Sequence, residues 1–124
     1  MIISTAFFAL KIRVIKMRDL TYIKTSNREL PLRCSNFVLE KIQDKFENLK
    51  SFEEKLFNKK PDIKFLNEFL YMCVYEGLQL EALIENKPCE KLTPRDVLVL
   101  CDLTVYELQV ELIKEYTRAF EIKN

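Results

Sequence analysis

The sequence predicts a mainly α protein with a small N-terminal β-hairpin, an α+β arrangement. About five helices form a compact bundle around a buried central one. Three observations carry this. The 124-residue chain has a single glycine and four prolines, too few breakers for a loop-rich or all-β fold. Residues 62–80 are apolar almost all round when wound at helical pitch, the mark of a helix packed on every side. Two threonines, Thr93 and Thr104, each stand three residues before an acid and open amphipathic stretches, which is helix-start chemistry. The length suits one domain with one core. A hydrophobic content of 48% with 31% charged residues is a globular balance.

Taken in order, residues 1–16 come first. Ten uncharged residues precede Lys11. A secretory signal places its positive charge before the apolar run, not after it, and about ten residues are too few to span a bilayer. The segment reads either as an extra strand or as an extension upstream of the true start. The second is preferred, which divides the chain into an extension at 1–16 and one domain at 17–124, beginning at Met17. Residues 19–34 read as the hairpin. Leu20 and Tyr22 alternate with polar neighbours, Leu30, Leu32 and Cys34 do so on the return, and Thr25, Ser26, Asn27 and Arg28 supply the turn. Pro31 cannot donate a ladder bond, so its strand is an edge or irregular there.

Ser35 reads as an N-cap for a helix carrying Phe37, Val38, Ile42, Phe46 and Leu49 at helical spacing. Asn48, tolerant of the left-handed conformation, reads as its end. Ser51 and Glu54 read as a capping box opening a short helix with Phe52, Leu56 and Phe57.

The central helix follows Pro61 and Asp62, a helix-favouring proline and a capping acid. It carries Ile63, Phe65, Leu66, Phe69, Leu70, Met72, Cys73 and Val74, with Tyr71 and Tyr75 in the gaps. Gly77 reads as its C-terminal residue with positive φ, Leu78 folding back on Cys73. Residues 78–86 then read as a separate short helical turn. Thr93, Pro94 and Asp96 supply a cap, a first-turn proline and an acid, with Leu92 and Val97 as the staple pair. Thr104 and Glu107 repeat the box, with Leu103 and Leu108. The last helix buries Leu108, Leu112, Tyr116 and Phe120 and turns Glu107, Glu111, Lys114, Glu115 and Arg118 outward.

Chemistry is sparse. There is no histidine, which removes the commonest general base and metal ligand. Cys34, Cys73, Cys89 and Cys101 include no CxxC pair, so zinc spacing is absent and the thiols read as reduced and mostly buried. One glycine cannot make a phosphate-binding loop. Glu53 with Glu54 and Glu111 with Glu115 read as solvated helix faces rather than paired catalytic carboxylates. The expectation is therefore a non-enzyme with no catalytic, cofactor or metal residues. Net charge is +1, with no basic excess for nucleic acid. Residues 94–118 have the outline of a helix-turn-helix, but Glu107, Glu111 and Glu115 on the second helix would repel phosphate.

The order of parts carries a resemblance. A hairpin "LTYIKTSNRELPLRCS" leads into "VLEKIQDKFENLKSFEEKL". A buried helix ending in "YEGL", then "KLTPRDVLVLCD" and an amphipathic last helix, follow. This layout, over residues 17–121, resembles the small tail assembly chaperones of long-tailed phages and prophages. The family often has glycine where this chain has Glu47 or Asn48. The resemblance implies a cytoplasmic protein of the bacterial host that works in virion morphogenesis. It would hold the helical tape-measure protein soluble and help recruit tail-tube subunits, with self-association as a further contact and neither nucleic acid nor membrane as partner. Two alternatives are a small helical nucleic-acid-binding regulator and a purely structural oligomerising subunit. A client helix needs exposed apolar surface. The candidates are Phe52, Phe57, Leu78, Leu80, Leu83 and Ile84, on the short segments flanking the central helix.

Overall fold

The computed structural model describes residues 20–121. The expectations for residues 1–16, including a domain start at Met17, lie outside the described residues. Two antiparallel strands, β1 (Thr21–Lys24) and β2 (Glu29–Leu32), precede five helices: α1 (Asn36–Phe46), α2 (Leu49–Leu56), α3 (Ile63–Glu85), α4 (Pro94–Leu100) and α5 (Val105–Ala119). The α+β bundle expected from the sequence is the fold observed, with α3 at its centre.

The hairpin register pairs Ile23 with Leu30 and Tyr22 with Pro31. The Thr25 N–H donates to the Arg28 carbonyl at 3.1 Å. Hydrogen-bonded and non-hydrogen-bonded pairs alternate from there, so Pro31 falls at a non-bonded pair. Its missing N–H points away from β1 and costs the ladder nothing. That side of β2 lies on α3. The Arg33 N–H donates to the Cys73 carbonyl at 2.9 Å, and Ile23, Leu30, Leu32 and Cys34 enter the core.

Gly77 makes this approach possible, and for a reason other than the one its isolation suggested. It has no positive φ, and α3 runs straight through it. A Cβ there would stand 2.5 Å from the Pro31 carbonyl oxygen and 2.9 Å from the Leu32 nitrogen, distances no real side chain shows. Residues 78–86 are therefore not a separate turn. Leu78 and Ala82 are buried on the same helix, and this packing outweighs the roughly 1 kcal/mol that an interior glycine costs. Asn86 ends α3 in the left-handed conformation, φ 51° and ψ 51°. At its start, Asp62 accepts the Lys64 N–H at 3.0 Å.

The junction of α1 and α2 is shifted from expectation in the same way. Ser35 caps α1 as read, accepting the Val38 N–H. The left-handed residue after α1 is Glu47, φ 69°, not Asn48. Asn48 is the N-cap of α2 and accepts the Ser51 N–H at 2.8 Å, so the helix starts two residues before the Ser51 box. Starting earlier brings Leu49 onto the core. The boxes at Thr93 with Asp96 and Thr104 with Glu107 both form, with Pro94 in the first turn of α4.

Phe52 of α2 sits at the middle of an aromatic cluster. Its ring centroid lies 4.9 Å from Phe69, 5.1 Å from Phe65, 5.4 Å from Tyr116 and 5.5 Å from Phe46. On α5, Leu108, Leu112 and Tyr116 are buried, whereas Phe120, just past its end, is half exposed.

Candidate functional site

Two mainly apolar concavities run along one side of α3. Phe37, Val38 and Lys41 of α1 face Tyr71, Met72, Tyr75 and Glu76 of α3 across a hollow of about 290 Å³. A second hollow, about 570 Å³, continues from Tyr71 and Met72 towards the start of α3. Ile63, Lys64, Asn67 and Glu68 line it together with Lys45 of α1 and Pro94 and Leu98 of α4. The two share Tyr71 and Met72, so they form one open groove with α1 as one rim and α4 as the other. Phe37, Ile63, Tyr75 and Leu98 are each between 43% and 50% exposed. Four large apolar side chains thus stand half in water along one groove, where single exposed apolar residues elsewhere are ordinary.

The groove arises from how α3 is surrounded. A helix apolar on all sides needs neighbours on all sides. β2 covers the face bearing Cys73 and Gly77, α2 and α5 cover Phe69, and α4 reaches it only over seven residues. The Tyr71 and Tyr75 side remains open. The rim charges are few. Lys45 is ion-paired with Glu68. Glu76 accepts the Ser35 hydroxyl at 2.8 Å. The Lys41 ammonium stands 5.2 Å from the Phe37 ring centre, a cation–π contact.

The six residues put forward from the sequence divide. Phe52 and Leu78 are core residues, 0% and 4% exposed, and offer no surface to a partner. Phe52 is taken up by the aromatic cluster, and Leu78 by the continuation of α3 through Gly77. Phe57 is half exposed and lies edge-on to Tyr116 at 6.5 Å. Leu83 is 69% exposed, with Leu80 and Ile84 half-buried beside it on the last turns of α3. Leu83 stands fourteen residues beyond Phe69, roughly 21 Å along the axis, so Phe57 and the Leu83 group are separate patches. The groove residues Phe37, Ile63, Tyr71, Met72, Tyr75 and Leu98 were missed. The signal was present in Tyr71 and Tyr75, which fill the gaps of a helix already apolar enough to be buried.

A second feature is polar. Glu115, expected on a solvated face, is 2% exposed. Its carboxylate accepts the Thr21 hydroxyl at 2.8 Å and the Cys34 N–H at 2.7 Å. Arg118 adds a two-pronged bond, Nη2 to Oε2 at 2.7 Å and Nε to Oε1 at 3.0 Å. The reason lies in β2. That strand ends at Leu32, and the buried Cys34 N–H beyond it needs an acceptor. Glu115 reaches in from α5 to supply it. The Glu115 bond holds the Arg118 guanidinium above its ordinary range, while burial pushes the Cys73 thiol alongside well up, so it stays protonated. With every lone-pair direction of the carboxylate occupied, this knot fastens α5 to the hairpin and leaves no open position for a substrate.

Among the described residues, no group of three or more histidine, cysteine or acidic side chains stands where it could hold a metal ion. No helix among them is long and apolar enough to cross a membrane. No family model, no curated protein and no solved structure matches this chain.

Proposed function

We propose that the protein is a phage tail assembly chaperone. It is a binding adaptor that performs no chemistry, keeps the helical tape-measure protein soluble in the bacterial cytoplasm and helps recruit tail-tube subunits around it. The observation that carries this reading is the open groove along α3, whose mainly apolar lining suits the apolar face of an amphipathic helix. The order of hairpin, paired short helices, long buried helix and capped C-terminal pair, which resembles those chaperones, supports the choice of client.

The test is co-expression with the long helical protein of the same gene neighbourhood. The unmodified chain is expected to keep that protein in the soluble fraction. Changing Ile63 and Leu98 together to Glu is expected to abolish this while leaving the circular dichroism spectrum unchanged, because both side chains are already half in water. Two unpaired carboxylates buried in an interface cost several kcal/mol, enough to lose a micromolar complex. The pair Leu80→Asp with Ile84→Asp, on the other patch of α3, is expected to retain the client. If the unmodified chain never keeps the long protein soluble, the chaperone reading fails.

A further inference from the structure

We propose that the groove along α3 selects an acidic amphipathic helix of about three turns, with its carboxylates along one flank of its apolar stripe. The inference rests on the reading of the groove as a client site and adds the chemistry of the client. The length follows from the floor. Ile63 to Tyr75 is twelve residue steps, roughly 18 Å at helical rise, or a little over three turns.

The charge follows from the rims, which are unequal. The α4 rim offers Pro94 and Leu98 and no charge to the groove. The other side carries Lys41, Lys45 and Lys64. Lys64 and Glu68 are four apart on α3 and share a face, and Glu68 pairs with Lys45 of α1, so Lys64 also lies towards α1. That pairing neutralises Lys45 and Glu68 together. Glu76 accepts the neutral Ser35 hydroxyl and keeps its charge, so the lining as a whole sets three lysines against two carboxylates. Lys41 and Lys64 remain, and neither meets a carboxylate at ion-pair distance among the described residues. Lys41 stands opposite Tyr71 and Met72, and Lys64 lies seven to eight residues back along α3, roughly 10–12 Å. A client helix lying in the groove would meet both with acids two turns apart on one flank. On its other flank, against Leu98, it would be apolar or neutral. Cationic groups on the first flank would face both lysines and be rejected.

The experiment uses the full chain and two labelled helical peptides with the same leucine stripe. One carries two glutamates seven residues apart on one flank, and the other carries lysines at those positions. Fluorescence anisotropy at low and high salt reads the binding. The glutamate peptide is expected to bind about tenfold tighter at low salt, with the advantage shrinking as salt screens the rim. The double variant Lys41→Glu with Lys64→Glu is expected to reverse the preference, while Lys50→Glu with Lys59→Glu, away from the groove, leaves it unchanged. Equal binding of the two peptides would overturn the charge inference and leave an apolar client site standing. Binding of neither would overturn the client site itself. Occupation of the groove by a second copy, seen as a dimer by sedimentation that excludes both peptides, would also overturn the inference.

Discussion

Gly77 shows two residue-scale effects in direct competition. Alanine in a helix interior is worth about 1 kcal/mol over glycine. Here its Cβ would meet the Pro31 carbonyl carbon at 2.6 Å, backbone on backbone, with no flexible end to give way. Overpacking of this kind costs about 1–3 kcal/mol and sometimes more, so Gly77→Ala is expected to be a net loss on the order of 2 kcal/mol by chemical denaturation. A gain in stability would show that β2 can lift off α3 freely. Glu115 is the other residue on which much depends. Glu115→Ala takes the carboxylate from the half-buried Arg118, which keeps only a 3.4 Å bond to the Cys34 carbonyl, and leaves the buried Cys34 N–H without its acceptor; breaking a largely buried pair costs up to about 3–5 kcal/mol. The isosteric Glu115→Gln keeps one oxygen and is expected to lose less. Neither role was legible in the sequence. A lone glycine looks the same whether it supplies a positive φ or a close approach, and only the path of β2 decides. Glu115 falls in a run with Glu107, Glu111 and Lys114 that reads as a wet face, and only the unpaired amide beyond β2 draws it inside.

At the scale of elements, helix starts were the most legible feature, because a cap and its acid are local chemistry. Thr93→Ala and Thr104→Ala are each expected to cost about 1 kcal/mol. Helix ends were less legible, since packing from elsewhere extends or trims them. α3 ran eight residues past its expected stop at Gly77, and the groove went unseen because its floor was assigned wholly to the core. The α1–α2 junction offers a test in the stabilising direction. Glu47 is held at φ 69° and ψ −38°, a region where a side chain costs on the order of 1–3 kcal/mol. Glycine adopts it freely at a smaller entropic cost. Glu47→Gly is expected to stabilise the protein by about 1 kcal/mol and raise its Tm by several degrees. An unchanged or lower Tm would show that the Glu47 side chain contributes a compensating contact.

For the whole molecule, stability should centre on the rings around Phe52. Phe69→Ala is expected to cost about 3–5 kcal/mol, a large part of the total for a domain of this size; a loss under about 1 kcal/mol would contradict the burial of Phe69. Stability should also fall at both pH extremes. Burial, and then a 2.8 Å bond to Glu81, push the Tyr22 phenol up to about 12, and Tyr116 is raised in the same direction by burial and by Glu53. A raised phenol contributes fully below its ordinary value near 10, and for Tyr22 that contribution is lost as pH climbs from there through about 12. On the acid side, Arg28 holds Glu90 low, Ser26 holds Asp102 low, and the two capping threonines hold Asp96 and Glu107 low. Their contributions stand above the usual carboxylate range and disappear as pH drops through and below it. Tyrosinate absorbance and denaturation midpoints against pH check both limbs. The Glu115 knot has a consequence in time as well as in energy. It ties Thr21 and Cys34 to a residue 94 and 81 positions later. A ribosome adds about 5–20 residues per second, so the Cys34 amide leaves the exit tunnel roughly 4–16 s before the Glu115 carboxylate that completes it does. Chains stalled ahead of Glu115 are expected to be cut by protease between β2 and α1, and chains released past Arg118 to resist it.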